Sequence, residues 1–490
     1  MTATASHLPN APMDDELLFL SAQQAGRRIR EGELRVVDYI TTVLDAIDAS
    51  QATLNACVTI NRKDARAAAA VADIAVDASV KTGPLHGVPV TVKDMVAVAG
   101  MPNKNGSFTC ENDMPTEDAP AVRRLRAAGA IVVAKTTTPE FGHKGLTDSL
   151  LSGITRNPWN LERTSGGSSG GAGAAVAAGL GPLGVGTDGA GSIRGPAATC
   201  GIVGLKPTRG MVPHPARSDP FGNQSFTGPM TRTVGDAAMM LRVMSGADDS
   251  DPWSLSHGKV RKPGFTGDDL SGLTIGYAEK MANAEVAPDV AANTQACLEL
   301  YASLGARVEP IPDDFDWAEQ AGRVLYQTAI HHAVAPLLPE WADRLSPSYM
   351  AFGEWGAQWT AADMLEAQAA RGDLFARVQG LFNRFDVLMS PTTARTALDA
   401  DFDATADVMI NGKACGITRQ SWTAYQYPFN LTGHPALSVP SGFGDDGLPT
   451  GLQIIGPWNG DPVILALGSV LEARRPWADK RPERAARGLV

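Results

Sequence analysis

Eleven glycines fall within the 26 positions from Gly166 to Gly191 of this 490-residue chain. Glycine at that density weakens helices and strands, because it gives up more backbone freedom on folding than any other residue. Such a run suits backbone that must pass close to another group, or N–H donors that must stay free to face a ligand. It opens as Thr164-Ser165-Gly166-Gly167-Ser168-Ser169-Gly170-Gly171-Ala172-Gly173 and continues through an Ala-rich stretch, Ala174 to Ala178. A second loop follows: Gly186-Thr187-Asp188-Gly189-Ala190-Gly191-Ser192-Ile193-Arg194-Gly195-Pro196.

Generic glycine motifs do not account for these loops. A phosphate loop needs a Lys after its last glycine, and none follows. The dinucleotide fingerprint fails at Val176, where Gly171-Ala172-Gly173-Ala174-Ala175-Val176 lacks its last glycine. The nucleophile elbow Gly-x-Ser-x-Gly fits at Ser168 and again at Ser169. An α/β-hydrolase also needs a downstream acid and then a histidine, and His434 has no acidic partner motif. Ser256-His257-Gly258-Lys259 fits Ser-x-x-Lys but sits in a polar connection.

Composition narrows the class. Hydrophobic residues at 44% and charged residues at 19% describe a globular chain. Lys and Arg total 42 against 53 Asp and Glu, a net charge of −11, with no basic face for a nucleic acid. Aromatics at 6% are too few for a base-stacking platform. The cysteines (Cys57, Cys110, Cys200, Cys297, Cys415) are odd in number and widely spaced, which suits reduced, buried thiols rather than disulfides or zinc. Met1 to Asp14 lacks the basic and apolar regions of a signal peptide. Thr164 to Thr187 is uncharged but too rich in Gly and Ser for a membrane helix. A soluble, cytoplasmic protein is expected.

The periodicity predicts helices over Val36 to Ala49, Ala65 to Ala78, Ala119 to Gly129 and Val290 to Leu304, the last stopped by Gly305. Residues 315 to 385 read as mostly helical. Strands are predicted at Gly87 to Asp94, Ile131 to Ala134, Leu273 to Tyr277, Ala306 to Glu309 and Phe385 to Pro391. Ala436 to Pro440 and Gly451 to Ile455 read as a hairpin. Ser245 to Gly272 reads as a long connection. Strands alternating with helices favour an α/β layered sheet. Alternation along Gly87 to Asp94 puts Thr91 and Lys93 opposite Val88, Val90 and Val92, with Lys93 at the strand end.

These loops resemble the signature of the amidase signature family of serine hydrolases. The family text is a Gly-Gly-Ser-Ser-Gly-Gly loop, an Ala-rich helix, Gly-Thr-Asp-x-x-Gly-Ser-Ile-Arg, then Cys-Gly-x-x-Gly-Leu-Lys-Pro-Thr. The last piece stands here as Cys200-Gly201-Ile202-Val203-Gly204-Leu205-Lys206-Pro207-Thr208. Further matches are Gly87-Val88-Pro89 with Lys93-Asp94, Arg156-Asn157-Pro158-Trp159, Gly228-Pro229-Met230-Thr231-Arg232, and Gly447-Leu448-Pro449 with Gly451-Leu452-Gln453.

The resemblance implies one α/β/α domain over residues 1–490 around a large mixed twisted sheet. Residues 1–80 would form a helical part, 81–245 the signature core, and 246–490 the part completing sheet and pocket. It implies amide hydrolysis through an acyl-enzyme, with Lys93 as base, Ser168 as a bridging serine after a cis peptide bond, and Ser192 as nucleophile. Ser168 Oγ is then expected within hydrogen-bond reach of both Lys93 Nζ and Ser192 Oγ. A serine needs a base to attack at neutral pH, and a buried, neutral lysine can serve. The backbone N–H groups of Gly189, Ala190, Gly191 and Ser192 are expected to hold the oxyanion. Gly142 and His143 are expected to line the acyl pocket. Ser169, Asp188 and Arg194 are expected to brace the loops, and Lys206 to be structural. Trp422, Tyr425 and Phe429 are expected in the core, and His331-His332 on a partly exposed helix.

Gly189 and Ala190 depart from the commoner family residues, Thr or Ile and then Gly. That variation resembles relatives acting on synthetic or aryl amides, urethanes included. The implied partner is a small-molecule amide or carbamate, with no metal or organic cofactor, no nucleic acid and no membrane, on a monomer or homodimer. Two other readings stay open: the amidase subunit of a tRNA-dependent amidotransferase, and a non-enzymatic binding protein on the same fold.

Overall fold

The computed structural model describes residues 15–215, 219–255, 258–312 and 318–489. The signal-peptide reading at Met1 to Asp14, the Ser256-His257 half of the Ser-x-x-Lys match, and the start of the helical stretch at 315–317 lie outside the described residues.

Eleven strands make one mixed sheet. They are β1 (Cys57–Ile60), β2 (Pro89–Lys93), β3 (Ile131–Thr136), β4 (Leu183–Asp188), β5 (Val203–Lys206), β6 (Phe226–Thr231), β7 (Thr274–Tyr277), β8 (Arg307–Pro310), β9 (Val387–Pro391), β10 (Ala436–Phe443) and β11 (Pro449–Ile455). Their order across the sheet is β1-β3-β2-β4-β6-β5-β10-β11-β9-β7-β8. The β3-β2-β4 group is parallel, as is β9-β7-β8, and the other pairings are antiparallel.

Both faces of the sheet are covered, so its strands read as nearly continuous apolar runs. On β3, Val132 enters one core while Ile131 and Val133 enter another. On β9, Val387 and Met389 share the core of Val132, and Leu388 points to the opposite side. The first face packs against helices Pro120–Ala127, Val234–Met244, Pro288–Ser303 and Asp461–Arg474. The second face carries three clusters. Helices Val36–Leu54 and Arg62–Asp77 cover one end, and Ala318–Val334, Pro347–Gly356 and Ala361–Leu381 the other. Between them lie two short buried helices, Gly170–Ala177 and Arg194–Cys200, packed through Ala172, Val176, Ile193 and Ala197.

This is the expected large mixed sheet with helices, and most expected elements are present. The first long helix runs on to Leu54 and stops at Asn55, whose φ of 50° is left-handed. The hairpin is β10 with β11. Gly305, with φ of 100°, follows the helix it was expected to stop. No helix among the described residues is long and apolar enough to cross a membrane.

Candidate active site

The parallel neighbours β2 and β4 bring the two glycine loops to one place. Val92 lies beside Val185, and both strands run out at the same edge, β2 at Lys93 and β4 at Asp188. Ligand sites of α/β sheets commonly form beyond such carboxyl ends. Lys93 is fully buried there. Its Nζ donates to Ser168 Oγ at 2.6 Å and to Thr187 Oγ1 at 2.9 Å. Burial pushes its ammonium from the ordinary 10.5 down to about 7, against the opposing pull of Asp188.

Ser168 stands just before helix Gly170–Ala177, and its peptide bond with Gly167 is cis. Its neighbour Ser169 ties the loop to the end of β4: Oγ donates to Thr187 O at 3.1 Å and accepts from Thr187 N at 3.2 Å. Ser169 N also donates to Ser192 O at 3.1 Å, so one residue spaces both serines. Close approach explains two of the glycines. A Cβ on Gly167 would lie 2.5 Å from Leu146 N, and one on Gly142 would lie 3.0 Å from Ser168 Oγ and 2.8 Å from Met95 Sδ.

Ser192 sits on the loop between β4 and helix Arg194–Cys200. Arg194, fully buried, is the hub of that loop. Its Nε and Nη2 reach the two oxygens of Asp188 at 3.0 Å each. Nη1 donates to Gln426 O at 2.8 Å and Gln453 Oε1 at 2.6 Å, and Nη2 also to Asn430 Oδ1 at 2.5 Å. Burial alone would raise the Asp188 carboxyl, but the Arg194 guanidinium, with Asn430 and Lys206, holds it well below the usual range. Asp188 therefore stays ionised and accepts Gly191 N at 2.6 Å and Ile193 N at 3.2 Å, which shapes the turn carrying Ser192. Asp188 and Arg194 thus tie the two ends of the loop to each other.

That network corrects one expectation. The Gly191 N–H is already bonded to Asp188, so it is not a free donor for an oxyanion. Among the described residues, no intramolecular backbone acceptor takes the N–H of Gly189, Ala190 or Ser192. The second correction concerns the serine relay. Lys93 reaches Ser168 as expected, but no hydrogen bond joins Ser168 to Ser192 among the described residues. Catalytic hydrogen bonds often tighten only once substrate is bound.

Ser168, Ser192, Thr187, Gly189 and Ala190 all open onto one cavity of about 720 Å³. Gly142 and His143 line it too. Burial pushes the His143 imidazole down to about 3, so it is neutral near pH 7. Its Nδ1 lies 2.7 Å from Glu140 O, which can only accept, so Nδ1 carries the proton and Nε2 accepts from Ser348 Oγ at 2.8 Å. Aromatic rings of Phe141, Tyr326, Tyr349, Phe352 and Trp355 form much of the remaining wall.

Trp422, Tyr425 and Phe429 are core residues, as expected, with Trp422 Nε1 donating to Arg395 O and Tyr425 Oη to Glu279 O. Lys206 is buried away from the cavity, over the Phe226 ring at 3.7 Å, with Nζ donating to Pro207 O. His332 is exposed on helix Ala318–Val334 and His331 half-buried. Sequence reasoning missed Thr187, Gln426, Asn430 and Gln453. Thr187 and Gln453 lie inside matched motifs, but nothing local says where their side chains meet.

The amidase family model matches residues 38–465. An acylamidase of Rhodococcus erythropolis is 36% identical over 96% of this chain and 98% of its own length. A glutamyl-tRNA(Gln) amidotransferase subunit of a Roseiflexus species is 34% identical, covering 95% of this chain and 98% of its own. Among solved structures, a bacterial aryl acylamidase of the amidase signature family superposes with a TM-score of 0.86 at 28% identity, covering 97% of this chain and 99% of that one. With its mixed sheet and its paired glycine loops, the chain belongs to the amidase signature family and is an amide-hydrolysing enzyme.

Proposed function

We propose that the chain hydrolyses small amides through an acyl-enzyme on Ser192, with Ser168 as proton relay and Lys93 as base. The observation that carries this reading is the 2.6 Å contact of Lys93 Nζ with Ser168 Oγ, at the wall of the cavity that Ser192 shares. Neutral Lys93 takes the Ser168 hydroxyl proton while Ser168 takes that of Ser192. Ser192 Oγ then bonds to the carbonyl carbon, and the negative charge on the carbonyl oxygen faces the N–H groups of Gly189, Ala190 and Ser192. Collapse breaks the C–N bond, and the leaving nitrogen receives the proton back through Ser168. Water enters by the same relay and releases the acid. Thr187 Oγ1 fixes Lys93 Nζ from its other side. Esters and carbamates present the same carbonyl and fall within reach of this chemistry. The aromatic wall favours aryl amides, and the likeness to an aryl acylamidase supports that preference. The substrate meets the enzyme as a free small molecule, in the cytoplasm.

A panel of anilides, primary amides, esters, aryl carbamates and glutamine, scored by kcat/KM, tests the reading, together with mass-spectrometric mapping of a fluorophosphonate label. The expected result is label on Ser192, highest rates on anilides, and loss of roughly 10³-fold or more in Ser192→Ala. Label on another residue, or full turnover by Ser192→Ala, overturns it. Strict glutaminase activity would instead favour the amidotransferase reading, which the likeness to the Roseiflexus protein keeps in view.

A further inference from the structure

The cavity wall also carries a charged cluster that amide hydrolysis does not use. Helix Ala318–Val334 contributes Glu319, Arg323 and Tyr326, and the loop before Trp422 contributes Arg419 and Gln420. Glu319 is fully engaged by its neighbours. Oε2 pairs with Arg323 Nη2 at 2.9 Å, and Oε1 accepts from Gln420 Nε2 at 3.2 Å. Arg419 has no carboxylate within ion-pair distance among the described residues. Its guanidinium rests on the Tyr326 ring, 3.4 Å from the centroid. Arg323 Nε is buried and donates to nothing.

Of the other charged groups on the cavity, Lys144 pairs with Asp148 at 2.7 Å, and Asp219, which lies in the field of Arg371, accepts from the N–H groups of Phe221 and Gly222. The cluster of Glu319, Arg323 and Arg419 thus keeps one positive charge in excess. A guanidinium taken partly out of water without a counter-charge costs free energy, which an anion arriving with the substrate offsets. Tyr326 holds Arg419 on the cavity wall, and a guanidinium is the group best shaped to meet a carboxylate with two parallel hydrogen bonds.

We propose that this wall seats an anionic group of the substrate, so that the amides this enzyme prefers carry a carboxylate away from the scissile bond, docked on Arg419 and Arg323. The proposal rests on the amidase reading, and a binding measurement separates the two. Two matched pairs serve as probes. Butyranilide against succinanilic acid places the carboxylate on the acyl side, and acetanilide against 3-acetamidobenzoate places it on the amine side. Binding to Ser192→Ala is measured by calorimetry, and kcat/KM on the unmutated enzyme.

In at least one pair the acid is expected to bind roughly 10- to 100-fold tighter than its neutral partner, the range of a charged hydrogen-bonded contact. Arg419→Gln should bring that ratio to about one, and Arg419→Lys should restore part of it. Acids that bind no better than their neutral partners in either pair overturn the proposal. So does a ratio unchanged in Arg419→Gln, which would make the contact with Tyr326 packing alone. Selective binding without turnover of any amide in the panel would leave this proposal standing and sink the function proposed above.

Discussion

Three lysines with little in the sequence to separate them end up buried near the middle of this fold. Lys135 donates to Val96 O at 2.7 Å and to Asn103 Oδ1 at 2.9 Å, and burial brings it down to about 8. Lys206 donates to a backbone carbonyl, and burial, helped by Arg194, takes it well below its ordinary value. Only Lys93 of the three meets two hydroxyls, and this contact, added to burial, is what suits it to the base role proposed for it. The motif Lys93-Asp94 marks the residue, whereas neither the burial nor the Thr187 contact is readable from local sequence. The contact comes from a neighbouring strand 94 residues further along, and the burial from β3 and the Ser168 loop as well. The pH dependence follows. Lys93 accepts a proton only when neutral, and its neutral fraction grows as pH rises through about 7. Turnover of a neutral anilide should therefore rise about tenfold per pH unit on the acid side and level off above about pH 8. A rate that does not change between pH 6 and 8, or that rises only towards the ordinary 10.5, would remove Lys93 as a base tuned by burial.

At the level of elements, glycine density locates both loops, and strand alternation places Lys93 at a strand end. What stays hidden is pairing. β1 gives four residues to an edge of the sheet, too short a run to stand out beside two long helices. Helix Asp461–Arg474 is apolar on several sides because it packs on the sheet and on helices at once, which blurs any helical stripe. The Ser192 loop shows the same division. Its glycines announce a turn, but the use of the Gly191 N–H by Asp188 depends on Arg194, on the same loop, being held by Asn430 and Gln453 from distant elements. Gly191 itself is the tightest point. Its φ is 108°, and an added Cβ would lie 1.6 Å from Gln426 Oε1 and 2.6 Å from Gln426 Cβ. Gln426 cannot simply swing away, because its Nε2 donates to Thr392 O at 2.7 Å in the interior. Gly191→Ala should cost about 1–3 kcal/mol of stability from backbone conformation and crowding together. If Ser192, the next residue, is the nucleophile as proposed, kcat should fall by roughly 100-fold or more, as expected for a displaced reacting group. A thermal melt and a kcat value both close to those of the unmutated enzyme would show that the loop tolerates the side chain.

Over the whole molecule, the sheet is closed by distant parts of the chain that meet. β5, which follows the glycine-rich loops, pairs directly with β10, more than two hundred residues later. Neither stretch completes the sheet without the other, and on this ground we read the chain as one domain. The first helical residues and the last described ones add a second closure. Phe19 is covered by the guanidinium groups of Arg232, Arg481 and Arg487, at 5.2, 4.5 and 5.0 Å from its ring centroid. Arg487, almost wholly buried, holds Asp15 through Nη1 at 3.2 Å and Nη2 at 2.9 Å, and donates Nε to Pro482 O at 3.0 Å. Burial would raise the Asp15 carboxyl, but Arg487 and Arg484 pull it below its ordinary value. A carboxyl depressed on folding lends stability above its unfolded pKa and loses it as pH falls through the folded value. The clasp should therefore loosen in acid. Arg487→Ala removes a stacked, hydrogen-bonded cation and leaves Asp15 with Arg484. A loss of about 1–3 kcal/mol at neutral pH is expected. The gap between variant and unmutated protein should narrow in melts taken at progressively lower pH. None of Asp15, Phe19, Arg232 and Arg487 lines the cavity that Ser192 opens onto. The kcat for an anilide at moderate temperature should therefore stay within about twofold, the change expected when a distant contact is lost without moving the site. A melt unchanged by Arg487→Ala would show that this clasp contributes nothing to holding the fold closed.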